Sequence, residues 1–229
     1  MINEVRNTVL AILNKENKGY ITPETFNLYA DMAQNEVFNE HFKAYANAKL
    51  KRINRYAGES FADEAKRHAE IIELFYANAG LTSQGGGTYI MPSDVRHIEI
   101  VSYGATNIPI EKVSKKELWN MNQSLLTQPS LLFPVYNQYG NNIVVSPSTI
   151  NSTVTLNYIR QPYKPKWTWV TLSGGEPVFN QGANDYKDFE LPQDDFVDLT
   201  IKILQYCGLS IREADVVNVA NNEEQENKA

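Results

Sequence analysis

The spacing of apolar residues changes period twice along this chain, and that change constrains the fold more than any single motif. Over roughly residues 1–80 the spacing is helical. Over roughly 84–180 it becomes short alternating runs broken by turn residues, and from 189 it is helical again. An α+β fold follows: an N-terminal helical bundle joined by the C-terminal helix, with an inserted, mostly antiparallel β module. The parts are expected at 1–83 (helical), 84–188 (β module) and 189–229 (C-terminal helix and an extended tail packing on or near the helical part).

Ile2, Val5, Val9, Ile12 and Leu13 form the first helical stripe. Thr22, Pro23 and Glu24 open a second helix, with Thr22 as cap and proline at the first helical position. Phe26, Tyr29, Ala33, Val37 and Phe38 continue its apolar face, and Phe42, Tyr45 and Leu50 extend it toward Tyr56. Gly58 breaks it. Ser60 is expected to cap a third helix whose apolar side holds Phe61, Ala65, Ile71, Ile72, Phe75 and Tyr76. After the glycine-rich connector 83–87 (SQGGG), strands are expected at 96–103, 107–113, 132–138, 142–146, 153–159 and 167–172. Tyr139, Gly140 and Asn141 mark a hairpin. Ser114 and Glu117 form a capping-box pair over a short helix at 114–121. Pro192 opens the last helix, with Phe196, Leu199, Ile203, Leu204 and Cys207 on its stripe. Gly208 ends or loosens it, and 221–229 is a polar, frayed tail.

With 42% hydrophobic and 21% charged residues, the 229-residue chain belongs among folded proteins. No run of about 18 apolar residues exists, so no transmembrane helix is expected, and no membrane is counted among the partners. The opening, with Glu4 and a short apolar run, reads as a helix rather than a signal peptide, so synthesis in a cytoplasm is expected. A net charge of -6 argues against wrapping nucleic acid on a basic face. Cys207 is the single cysteine, which rules out an internal disulfide and a multi-thiolate zinc site.

Motifs that suggest chemistry each have a simpler account. Residues 14–25 resemble a calcium loop, with Gly19 and Ile21 well placed. The fifth position is Lys18, however, and the twelfth is Thr25, where a bidentate carboxylate is needed. The stretch reads as a helix–turn–helix corner with Gly19 supplying a positive φ. Residues 85–87 lack the Gly-Lys-Ser/Thr of a phosphate loop and read as a linker. His41, His68 and His97 lie on different elements without i,i+4 partners. The pair Asp194 and Asp195 sits in a helix's first turn, where acidic residues belong without catalysis. Ser173 lies in a turn, not a nucleophile elbow. Cys207 lies on an apolar stripe, as a buried, inert thiol does. No catalytic residue, cofactor or metal ligand is assigned. An enzymatic alternative, a cytoplasmic hydrolase or nucleic-acid-processing enzyme, would draw on His41, Glu64, His68 and Asp94.

Candidate partner contacts are of three kinds. Lys43, Lys51 and Arg55 belong to a basic helix end with five positive side chains in thirteen residues, read equally as a solvated helix end or a docking face. Tyr158, Tyr163, Trp167 and Trp169, near Pro162 and Pro165, either fill a β core or anchor an interface. Ile211 and Val216 represent the tail after Gly208.

The stretch EVRNTVLAILNKENKGYITPETFNLYADMAQNEVF resembles the opening of neck proteins of crAss-like and related short-tailed phages. PSLLFPVYNQYGNNIVVSPSTI, followed by VTLNYIRQPYKPKW, resembles their β domain, and FELPQDDFVDLTIKILQYCGLSIREADVVNVANNEEQ resembles the terminal helix and tail of head-to-tail adaptors. The order of parts is similar to that of the tail tubular, or gatekeeper, proteins over nearly the whole chain. The resemblance implies a non-enzymatic virion protein of the neck or tail, made in the host cytoplasm. It implies a ring of identical subunits, usually a dodecamer, under the portal protein and next to tail or other neck rings, with genomic DNA passing through. A tail-side nozzle, hub or fibre-attachment subunit is the other structural alternative. The negative charge suits such a conduit, because a basic lumen would hold DNA back.

Overall fold

The computed structural model describes residues 1–15, 21–53 and 59–211, and confirms the α+β class with five α-helices and a seven-stranded mixed sheet among them. Arg55, Val216, Lys18, Gly19, Gly58 and 221–229 fall outside these residues. The chain divides into two compact units, Met1–Ile71 with Pro162–Ala229, and Ile72–Gln161. These seams lie at 71/72 and 161/162, where the sequence pattern suggested 83/84 and 188/189.

The first unit holds α1 (Ile2–Lys15), α2 (Pro23–Ile53), most of α3 (Glu59–Glu73) and α5 (Phe196–Ile211). The α1 stripe buries Ile2, Val5, Val9 and Leu13, while Ile12 points outward. Thr22 caps α2 as expected, its Oγ1 accepting from Thr25 N–H at 3.3 Å. Farther along α2, Ala48 is buried and Leu50 is exposed, so the stripe turns away from the expected face. Ser60 lies inside α3 rather than at its cap. Pro192 precedes a 3₁₀ turn, Gln193–Asp195, from which α5 continues past Gly208 to Ile211. Residues 199–204 of α5 are buried all round, making it the central helix of this unit.

The segment from Pro162 also belongs to this unit, and Trp167 is the reason. Its ring is 1% exposed, with the Arg6 guanidinium 3.8 Å above it. Its indole N–H donates to Asn3 at 2.9 Å. Asn27 of α2 bonds both sides of its backbone, accepting from the N–H at 2.8 Å and donating to the carbonyl at 3.0 Å. One helical turn pair later, Gln34 repeats the device, donating to Tyr163 O at 2.7 Å and accepting from Glu190 N–H at 3.0 Å. Trp169 and Phe179, facing each other on the hairpin β8 (Trp169–Thr171) and β9 (Pro177–Phe179), stack on Trp167.

The second unit is the sheet β1-β7-β3-β4-β5-β6-β2, antiparallel throughout except for β4/β5. Its strands are β1 (Tyr76–Leu81), β2 (Thr88–Ile90), β3 (Val95–Tyr103), β4 (Ile108–Lys112), β5 (Val135–Tyr139), β6 (Asn142–Ser146) and β7 (Val154–Arg160). Phe75 and Tyr76 therefore do not continue α3: Tyr76 begins a strand paired to Ile159. The hairpin around Gly140 forms as expected, with Tyr139 opposite Asn142. Strand β5 starts only at Val135, leaving Leu132 and Phe133 outside it. The glycine run lies inside this unit, between β1 and β2, and is not a linker between parts. Gly87 has φ +76°, and a Cβ there would meet Val145 O at 2.5 Å, so no other residue fits. Leu81, Tyr89, Val101, Ile143, Leu156 and their neighbours form the core.

Helix α1 is capped from far along the chain. Asp188 accepts from Ile2 N–H at 2.7 Å, from the Met1 amino group at 3.0 Å and from Phe189 N–H at 2.8 Å. Burial pushes this carboxyl up, but those bonds outweigh it and hold it below the ordinary 3.8. Its stabilising effect is thus present above pH 3.8 and lost as pH falls through the lowered folded value. Asp188→Ala is expected to cost about 1 kcal/mol at neutral pH. In urea unfolding the gap to wild type should close in acid.

Candidate interaction surface and a buried polar seam

Parallel strands cannot be joined by a tight turn, so the β4/β5 pair requires a crossover. Residues 113–134 supply it, first as α4 (Lys115–Met121). Ser114 and Glu117 close the expected capping box, each accepting the other's backbone N–H at 3.2 and 2.7 Å. The chain then turns on itself: Gln128 N–H donates to Ser124 O at 3.0 Å, and Thr127 Oγ1 donates to Met121 O at 3.0 Å. Pro129 and Pro134 are buried at its foot. Ser130 Oγ accepts from Phe133 N–H, and Tyr103 OH donates to Leu131 O.

This well-bonded backbone holds its apolar side chains outward. Leu125 is 93% exposed, Leu126 97% and Phe133 78%, and Trp119, Leu131 and Leu132 are each more than half exposed. The loop stands off the sheet and leaves a groove of about 1100 Å³ against Ile98, Ile100, Pro109 and Ile110. Glu111 and Lys112 line it, and exposed Lys115, Lys116 and Glu117 follow on α4. Lys115 Nζ sits 3.7 Å over the Tyr139 ring. Exposed apolar surface on this scale marks an interaction site. No sequence signal separated these leucines from core leucines, because local periodicity does not report which face is covered.

The residues singled out as partner contacts are scattered. Trp167 and Tyr158 are buried in the cores of their respective units, Tyr158 donating to Asp94 at 3.2 Å. Trp169 is half-buried in the Trp167 stack, and Tyr163 is half-exposed with Lys187 Nζ 4.6 Å from its ring. Lys43 is exposed on α2, while the side chains of Lys51 and Ile211 fall outside the described residues.

The enzymatic candidates are also divided. Asp94 lies in the sheet unit, and the Glu64 side chain is outside the described residues. His41 and His68 do meet, in the helical unit, and Asp195 joins them. His41 Nδ1 and His68 Nδ1 are 2.9 Å apart, and His41 Nε2 lies 3.1 Å from Asp195 Oδ2. The ring centroids are 5.1 Å apart, close to the most that this nitrogen separation allows, so the nitrogens point at each other as donor and acceptor. The tautomer of His41 that donates Nε2–H to Asp195 has its Nδ1 lone pair turned toward His68 Nδ1. The buried Asp195 thus holds His41 of α2 from the 3₁₀ turn, and His41 in turn meets His68 of α3, a use that the helix-start position of Asp195 did not reveal.

A second cluster lies about two helical turns along, on α5. Lys202 is 2% exposed and bridges Glu36 and Glu40 of α2, both at 3.1 Å. Burial alone would pull its ammonium down, but the two carboxylates outweigh this and hold it above the ordinary lysine range. Tyr206 OH donates to Glu36 at 2.6 Å, and burial with that bond pushes its phenol up to about 12. Cys207, as expected, is buried, and burial pushes its thiol up to about 12. Among the described residues no group of three or more His, Cys, Asp or Glu side chains is placed to hold a metal, and no helix is long and apolar enough to cross a membrane. No known family model matches the chain, and no curated protein matches it.

Two measurements check the seam. Lys202→Ala removes the cation shared by two carboxylates and opens a cavity, so chemical denaturation should show a loss of about 2–4 kcal/mol. Cys207 should resist a disulfide-exchange reagent at pH 8 in the folded protein and react at once in denaturant. Because the folded thiol ionises near 12 against an ordinary 9.0, its contribution is present below pH 9.0 and lost as alkali approaches pH 12.

Proposed function

We propose that this chain is a virion structural protein, one subunit of a head-to-tail adaptor ring in the neck of a short-tailed bacteriophage. It docks under the portal protein and continues the DNA channel toward the tail. The observation that carries this reading is the crossover loop. A backbone fixed by hydrogen bonds presents six large apolar side chains to solvent, as a subunit awaiting assembly does. The architecture is compatible with it: a helical unit closed by the C-terminal part of the chain, carrying an inserted β unit. So is the net charge of -6, since an acidic conduit does not retain DNA.

The test is direct imaging. The purified chain, alone and mixed with portal protein, is examined by negative-stain electron microscopy and sedimentation velocity. Rings, or rings formed only on the portal, are the expected result. A chain that stays monomeric at tens of micromolar and ignores the portal overturns the reading. Binding to a distal tail component but not to the portal moves it to the tail-side nozzle or hub.

A further inference from the structure

We propose that the His41–His68 contact is a proton-operated latch. It holds α3 to α2 through one hydrogen between the rings, and it opens when both rings are charged. The inference does not depend on the ring reading above.

Geometry is the first argument. The two Nδ1 atoms are 2.9 Å apart and the ring centroids 5.1 Å apart, so nitrogens and centroids lie nearly on one line. That line has room for a single hydrogen. It has none for a metal ion, which needs about 2.0–2.1 Å to each imidazole nitrogen. In the uncharged pair one ring donates and the other accepts. One added proton is tolerated. It goes to a nitrogen outside the contact, the hydrogen between the rings stays, and Asp195, 3.1 Å from His41 Nε2, offsets the charge. A second added proton leaves both Nδ1 atoms carrying an N–H, with no lone pair between them. Two cationic donors then face each other at hydrogen-bond distance, and the rings must part.

The surroundings draw that second proton in. On α2, Glu40 is held by Lys202 of α5 at 3.1 Å. The 3₁₀ turn and α5 contribute Asp194, Asp195 and Asp198. Burial pushes the Asp198 carboxyl above the ordinary 3.8, and Asp195 and Glu40 push it the same way, against Lys202 and His41. On α3, Arg67 lies 3.9 Å from Asp194, and Lys66 lies 3.8 Å from Glu70. Carboxylates therefore outnumber cations around the pair, which favours charged rings, while the collinear contact admits only one charge.

The Arg67–Asp194 pair joins side chains that are both more than half exposed, so it ties α3 weakly. The tie at His68 reaches a residue only 8% exposed, His41. The open latch binds one proton more than the closed one, so closure is favoured at high pH and lost as pH falls. A solvated imidazole ionises near about 6.5, and below about pH 6 closure should weaken by about tenfold per pH unit. The helix released, α3, is the one from which the chain enters β1.

The test follows amide hydrogen exchange of the full chain at about pH 7.5 and about pH 5, compared as protection factors so that intrinsic exchange rates cancel. Helix α1 is the internal reference, because its Asp188 cap stays ionised above pH 3.8. Protection of α3 relative to α1 should fall at least tenfold in acid and return on neutralisation. His68→Gln keeps a polar side chain but removes the second charge, so its α3 protection should be the same at both pH values. Asp198→Asn and His97→Asn remove the other titrating candidates and should keep the wild-type response. Circular dichroism checks that each variant is folded. In wild type with ¹⁵N-labelled histidine, uptake of the pair's last proton should coincide with the loss of α3 protection, a readout that needs no variant. Unchanged α3 protection in wild type at about pH 5 overturns the latch. So does an acid loss that persists in His68→Gln, or a pair that takes up both protons while α3 stays protected.

Discussion

The grip of α2 on the backbone around Trp167 holds the first unit together across an insertion of ninety residues. Asn27 and Gln34 are seven residues apart, two helical turns, so both carboxamides lie on one side of α2. Each donates and accepts, as a neighbouring strand would. An extended segment that would otherwise bury unpaired amides can therefore lie flat on a helix. Trp167 fills the core beneath it, and Arg6 and Asn3 fix the ring. The same return path delivers Asp188 to the first amides of α1 and leads to the 3₁₀ turn that starts α5.

Polar groups facing inward give this unit its second set of constraints. Gln34, His41, Asp195 and Lys202 are all buried, and each is engaged by a partner that only the folded chain supplies. Gln34 and His41 set polar groups on the inner face of α2 among the apolar residues of its stripe. Replacing one member leaves its partners desolvated, so the seam favours a single register of α2 against α5.

Features set by local chemistry were legible in the sequence. The start of α2 at Pro23, the capping box of Ser114 and Glu117, the hairpin at Gly140 and the alternation in β7 all depend on residues within a few positions, whereas the alternation read in β3 is broken by register shifts that leave Ile100 exposed and Val101 buried. Features set at long range were not. Strand β1 is built from Tyr-Ala-Asn-Ala-Gly-Leu, which has little strand propensity and forms because β7 is there to pair with it. Trp167 looked equally suited to a core or an interface, and only Asn27 and Arg6 decide between them. The meeting of His41, His68 and Asp195 joins residues up to 154 positions apart. The outward leucines of the crossover follow from one parallel strand pair, which no local pattern announces.

The ends of the inserted sheet carry a mechanical consequence. The chain enters the insertion at β1 and leaves it at β7, and these are neighbours, with Tyr76 opposite Ile159 and Arg160 N–H donating to Phe75 O at 2.9 Å. Both covalent links therefore emerge from the same end of one antiparallel pair. A force that draws the two links apart loads the rungs one after another, from Tyr76 toward Leu81. The pair peels like a zipper instead of resisting in shear, and the insertion gives way under tension at its own doorway.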